Sequence, residues 1–297
     1  MDQWIEKPGS AGTGAQEAPL PAVAVVDTIT KLDARHKGAV VVAASHGGLY
    51  AGYCAAKGGV RAVILNDAGI GRDRAGIGSL EFLDGIGMAA ATASHLSCRI
   101  GDGKDMAESG VVSHVNRSAA ALGCRPGQTV RECAALMLAA PMPGGPVPEI
   151  REARFVIRDA GGEPRVIGVD SASLLRPDDE GQIVVTASHG ALLGGKPDSA
   201  VSVPVLAAVF SDAGLGKDEA GATRLPALGD RGIPAVTAAA DSARIGDARS
   251  VYDEGIVSRV NDPAAALGTK PGDRIADFVE RVLARARAAG SIAAGRS

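Results

Sequence analysis

Residues 40–47 read VVVAASHG, and residues 183–190 read IVVTASHG. Each is a valine-rich apolar run, too short for a helix, that ends in Ser-His-Gly. A short continuous apolar run bounded by a glycine turn reads as a strand buried on both faces. Outward from these two stretches the chain repeats itself block by block. Asp67 to Gly71 read DAGIG, and Asp212 to Gly216 read DAGLG. RIGD occurs at Arg99–Asp102 and at Arg244–Asp247, and GVVSHVN at 110–116 matches GIVSRVN at 255–261. AALG ends at Gly123 and at Gly268, each time shortly before Pro-Gly. Ser188 follows Ser45 by 143 positions and Asp247 follows Asp102 by 145, which places a two-residue insertion near 196–199.

The blocks divide the chain. Residues 1–20, rich in Gly, Pro, Ala and Gln, read as a flexible lead without the basic start and apolar core of a signal peptide. Residues 21–140 form the first α/β repeat. Residues 141–153, which contain PMPGGPVP, form a linker, because proline ends regular structure and glycine permits any turn. Residues 154–297 form the second repeat.

Within the first repeat, strand signals lie at 39–44, 60–65, 88–93 and 111–115. In the second they lie at 182–187, 203–210, 233–238 and 256–260. Helices are expected between them, including a small-residue helix after each Ser-His-Gly and a closing helix at each end. An extra hairpin over 155–169 turns at Ala160-Gly161-Gly162. Alternation of this kind specifies an α/β fold, internally duplicated, as two Rossmann-like layered halves with mostly parallel strands and pseudo-two-fold symmetry. One continuous sheet built from both halves is the alternative. The arginine-rich segment 275–289 reads as an amphipathic helix that is either solvated or docked on another subunit, so a homo-oligomer is an open expectation.

Composition bounds the function. The chain has 297 residues, 46% hydrophobic and 22% charged, with a net charge of -3 and 3% aromatic residues. Without a basic patch or aromatic stacking platforms, nucleic acid is not an expected partner. No apolar run approaches the roughly 20 residues of a membrane helix. The four cysteines all lie in the first repeat and match neither a zinc knuckle nor a CxxC pair, which suits a reducing, cytoplasmic setting. No cofactor is indicated. Metal binding through His46, Asp67 and Asp102 lacks any supporting ligand spacing, so no metal is assigned.

Three repeated motifs fall at strand ends, where open parallel sheets hold their ligands. In the first, Ser45-His46-Gly47 and Ser188-His189-Gly190 have small residues two before and two after the serine, as a nucleophile elbow needs. A serine capping the next helix is the plainer reading. His46 and His189 are poor bases for their own neighbours, since adjacent side chains in a turn point apart. In the second, Asp67 and Asp212 open the DAGxG turns, whose Gly69, Gly71, Gly214 and Gly216 amides suit an anion. Internal hydrogen bonding of those turns is the alternative. In the third, Arg99 with Asp102, and Arg244 with Asp247, suit a carboxylate clamp or a structural pair tying the halves together. Asp27 and Asp170 also follow apolar runs at matching positions. His95 becomes a candidate base if one half alone is active, because Ala240 stands at its counterpart.

The expected function is an enzyme acting on a small polar or anionic metabolite. Hydrolysis is the most concrete version, with Ser45 or Ser188 attacking a carbonyl, His46 or His189 taking the proton and Asp67 or Asp212 orienting the imidazole. Glycine-turn amides at Gly47 and Gly190 would hold the oxyanion. A non-catalytic anion-binding protein, or an acid–base lyase or isomerase, are the alternatives.

Overall fold

The computed structural model describes residues 22–294, with side chains described through residue 289. The expected lead at 1–20 lies outside the described residues. The first half runs β1 (Val23–Val26), β2 (Val40–His46), α1 (Leu49–Lys57), β3 (Ala62–Asn66), α2 (Ser79–Gly85) and β4 (Ala89–Ala93). It closes with α3 (Gly103–Ser109), β5 (Val112–Val115), α4 (Arg117–Ala120) and α5 (Val130–Met137). The second half runs β6 (Arg154–Arg158), β7 (Val166–Val169), β8 (Ile183–His189), β9 (Ala207–Ser211), α6 (Arg224–Gly229) and β10 (Ala235–Ala238). It closes with α7 (Ala248–Glu254), β11 (Val257–Val260), α8 (Asp262–Ala266) and α9 (Ile275–Ala294).

Among the described residues there are two sheets, of five and six strands, rather than one continuous sheet. Their orders are β1-β2-β3-β4-β5 and β11-β10-β9-β8-β7-β6. Helices cover both faces of each sheet, so the central strands can be continuous apolar runs. In the first half, Val40, Val42 and Ile64 face Met106, Cys133 and Met137 of α3 and α5. Val41, Ala43 and Val63 face α1 and α2 through Ala55, Leu80 and Leu83. The second half repeats these layers, and α9 buries Ile275, Phe278, Val279, Val282 and Leu283 against its sheet. That face of α9 is therefore occupied within the chain. Among the described residues, no helix is long and apolar enough to cross a membrane.

Two expectations need correction. The fourth apolar run of each half, β5 or β11, pairs antiparallel to its neighbour and not parallel. The short connections through α3 and α7 return the chain beside the strand it has just left. The helix expected after the second Ser-His-Gly is also missing. Where the first half forms α1, the second forms two short 3-10 turns at Leu193–Gly195 and Pro197–Ser199. Gly194 sits at φ 55° and Pro197 carries no N–H, so an α-helix cannot propagate there.

One irregularity sets up the site. The β2–β3 register shifts between Val42 and His46, and the β8–β9 register shifts between Val185 and His189. A bulge of this kind re-aims the residues at the strand end. It sends the serine of each motif toward the preceding strand's turn and the histidine toward the seam between the halves.

Candidate active site

The carboxyl ends of the two sheets meet each other. Arg72 N–H donates to Ala240 C=O and Lys217 N–H donates to His95 C=O, both at 2.8 Å. Ala68, Ile100, Ala191, Ala213, Ala220 and Ile245 form a buried apolar seam. At its centre the two DAGxG turns touch. A Cβ on Gly69 would lie 2.8 Å from Gly214 Cα, and one on Gly214 would lie 2.7 Å from Gly69 Cα. The contacts are reciprocal.

The seam consumes much of what the motifs offer. In the first turn, Ala68 N–H donates to Asn66 Oδ1, Gly69 N–H to Asp67 Oδ1, Ile70 N–H to Asp67 C=O and Gly71 N–H to Gly69 C=O. The second turn repeats the set on Ser211, Asp212 and Gly214. An anion on either turn would have to displace a protein partner. Gly47 and Gly190 N–H groups are likewise bonded, to Asn66 and Ser211 C=O. The turns hold Ala68, Ile70, Ala213 and Leu215 at positive φ, a conformation that side chains with a Cβ adopt at a cost.

Arg99 bonds Asp218 across the seam at 2.8 Å and Asp102 at 3.2 Å in its own half. Arg244 bonds Asp73 at 2.9 Å across the seam and Asp247 at 3.1 Å. Asp102 and Asp247 also cap α3 and α7. Asp27 and Asp170 accept the first N–H groups of the same two helices, from Gly103 and Ala248. Asp67 accepts from His95 Nδ1–H at 2.8 Å. Burial raises its pKa, but the His95 bonds outweigh that and hold it below the ordinary value. Asp212, which faces Ala240, has no imidazole partner, and burial raises its pKa.

The Ser-His motifs do come together. Ser45, His46, Ser188 and His189 line one cleft of about 280 Å³ between the halves, with Thr28, Lys31, Tyr50, Glu152, Ser171, Asp198 and Arg224. Ser45 Oγ accepts from Ile29 N–H at 2.9 Å and lies 3.4 Å from Thr28 Oγ1. Ser188 Oγ accepts from Ala172 N–H at 2.9 Å. Neither hydroxyl has an imidazole nitrogen as a hydrogen-bond partner. Asp67 and Asp212 stand away from this cleft, at the seam.

The imidazoles are set alike. His46 Nδ1 accepts from Gly48 N–H at 3.1 Å, and His189 Nδ1 accepts from Ala191 N–H at 3.3 Å. A ring nitrogen that accepts leaves the proton of neutral imidazole on the other, so each presents Nε2–H. Burial pushes His46 down to about 4, although part of the ring reaches the cleft. His189 is held well below its ordinary value by burial, by the Arg224 guanidinium and by His46. Both rings are neutral at pH 7.

Glu152, in the segment expected to be only a linker, was not legible as a site residue. Burial, reinforced by the Asp170 carboxylate, raises it to about 7. It has no repeat counterpart among the described residues, so comparing the repeats cannot single it out. Arg224 was missed too, although a signal existed: at the 145-residue offset its counterpart is Ser79, a change of size and charge. Comparison of the chain with protein families, with curated proteins and with solved structures returned no match.

Proposed function

We propose that the chain is an acid–base enzyme, an isomerase or lyase, acting on a small carbonyl compound held between its two halves. What carries this reading is the convergence on one cleft of two neutral, backbone-locked imidazoles and the raised carboxyl group of Glu152. A carboxyl that titrates near 7 is matched to taking and returning a proton at neutral pH. In this scheme a C–H beside a carbonyl gives its proton to Glu152, and its electron pair moves onto the carbonyl oxygen. The Nε2–H groups of His46 and His189 stabilise that oxygen as neutral donors. Return of the proton to the opposite face of the same carbon completes an epimerisation; expulsion of a leaving group from the next carbon completes an elimination.

Hydrolysis through serine is the second reading. What favours it is Ser188, whose hydroxyl accepts from a main-chain N–H yet has no protein acceptor for its own proton among the described residues. One experiment separates the two. The purified chain is incubated in D₂O with a panel of 2-oxo acids, 2-hydroxy acids, lactones and cyclic amides, followed by proton NMR. The acid–base reading expects exchange of a carbon-bound proton, reduced about 100-fold or more by Glu152→Gln and retained in the Ser45→Ala/Ser188→Ala double variant. Ring opening or amide cleavage that vanishes in the double variant would transfer the assignment to serine.

A further inference from the structure

Arg224 is buried, with 5% of its surface exposed, and lines the same cleft as His46 and His189. Its Nε donates to Ala191 C=O at 2.9 Å and its Nη1 to Ala200 C=O at 2.6 Å. The guanidinium lies over the Phe210 ring, 5.0 Å from its centre. Nη2 has no partner among the described residues, and no described carboxylate forms an ion pair with the group. Burial lowers Arg224 to about 10, with no acidic neighbour acting against it, so it is still a cation at pH 7. A buried charge without a counter-charge is costly, and structural arginines are normally paired.

The first half shows what the position needs when it only supports the fold. Ser79 N–H donates to Gly47 C=O as Arg224 N–H donates to Gly190 C=O. Ser79 is buried beneath α1, and a Cβ on Gly52 would lie 2.6 Å from Ser79 Cβ. An arginine there would collide with α1. In the second half the 3-10 turns at 193–199 stand in place of that helix, and the guanidinium fills the space they leave. Filling that space and bonding the Ala191 and Ala200 carbonyls occupies Nε and Nη1, but among the described residues it leaves the charge unpaired and the Nη2 edge free.

We infer that Arg224 is the anchor for a carboxylate group of the cleft's ligand, held by the free Nη2 edge of its guanidinium. This assignment rests on reading that cleft as the ligand site, not on the acid–base chemistry within it. One uncompensated positive charge calls for one negative charge, and the planar fork of arginine matches a carboxylate. The cleft, at about 280 Å³, lies just below the range of drug-sized ligand pockets, about 300 to 1,000 Å³, and so suits a small ligand. The substrate class is then a small carboxylic acid whose carbonyl oxygen faces the two imidazoles.

Formate, the smallest carboxylate, tests the anchor without knowledge of the substrate. Melting temperature is followed as sodium formate replaces sodium chloride at constant ionic strength, in wild type, Arg224→Gln, Arg224→Lys and Glu152→Gln. Wild type is expected to show a saturable rise, and Glu152→Gln, which removes a negative charge from the cleft, is expected to keep that rise at equal or lower formate. Arg224→Gln should require at least ten times more formate, with Arg224→Lys between them. No saturable rise in wild type, or an equal rise in Arg224→Gln, would overturn the assignment. Should Arg224→Gln fail to fold, phenylglyoxal labelling of wild type with peptide mass spectrometry gives a second readout. Formate should protect Arg224 at least threefold while leaving Arg99 and Arg244 unchanged, and equal labelling of Arg224 with and without formate would refute it. Failure of the acid–base reading looks different: Glu152→Gln would keep its proton exchange while the formate response stayed on Arg224.

Discussion

His95 Nδ1 and Asp67 Oδ1 stand 2.8 Å apart, while Asp212, at the matching place in the second half, faces Ala240 and has no ring to bond. The backbone bonds are otherwise the same: His95 N–H reaches Asp67, and Ala240 N–H reaches Asp212, both at 2.9 Å. Burial raises both carboxyl groups; the His95 bonds bring Asp67 down, while Asp212, without a ring and with Asp241 nearby, stays up.

From this, His95→Ala is expected to cost about 1–3 kcal/mol at pH 7, because it strands a buried carboxylate. Asp67 is depressed in the folded state, so its contribution is present above the ordinary carboxylate value and is lost as pH falls through its lowered one. The gap between wild type and His95→Ala should therefore narrow below about pH 4. Asp212 is raised, so its ionisation works against folding at neutral pH. Asp212→Asn, whose amide oxygen can still accept from Gly214 and Ala240, should be neutral or stabilising at pH 7, whereas Asp67→Asn should destabilise. Urea unfolding of wild type and the three variants at pH 7 and pH 3.5 decides this.

Glu152 gives a second pH signature. Its carboxyl is raised to about 7 in the folded state, so above pH 7 the folded protein carries an unfavourable half-buried charge. Below its unfolded value, near pH 4.3, the group is protonated in both states and the penalty is gone. Glu152→Gln should raise the melting temperature at pH 8, with an advantage that shrinks through pH 7 to nothing near pH 4. An unchanged difference between pH 4 and pH 8 would mean that Glu152 titrates normally.

Close backbone approach is expected to hold the seam more than its ion pairs do. Gly69→Ala puts a Cβ against Gly214 Cα and places alanine at φ 74°, so a loss of about 2–4 kcal/mol is expected. Asp218→Asn removes the exposed cross-seam partner of Arg99 and should cost under about 1 kcal/mol, less in high salt. Calorimetry of both variants in low and high salt would reverse this ranking if the charges dominated.

Ser45 carries a structural load whatever its chemistry. Ser45→Ala deprives the Ile29 N–H of its buried acceptor, and a cost of about 1–2 kcal/mol is expected. Hydrogen exchange at Ile29 should accelerate in that variant while the amides of β3 stay protected. Equal protection at Ile29 would show that water replaces the hydroxyl without loss.

Much of the architecture was legible because buried parallel strands are written as unbroken apolar runs, and β2, β3, β8 and β9 each follow one. The antiparallel turn of β5 and β11 was not, because a half-buried strand of four residues reads the same in either direction. Nor was the loss of a helix after Ser188, although Gly194-Gly195-Lys196-Pro197 holds the reason. Of the residues lining the cleft, Ser45, His46, Ser188 and His189 could be named from their motif. Glu152 could not, since its raised value arises from the neighbours that folding brings to it.

By itself the sequence determined which segments become strands, where the chain turns, and that one set of motifs recurs at strand ends. These are local properties, set by side-chain size, backbone freedom and the period of apolar residues. Tertiary structure decided how the motifs are used. It faced the two sets of strand ends toward each other, used the glycine-turn amides and the Arg99 and Arg244 ion pairs to join the halves, and left the paired histidines, Glu152 and Arg224 around one cleft. Hydrogen-bond partners, desolvation and uncompensated charge are relations between residues far apart in the chain, and they come into being only when the halves pack.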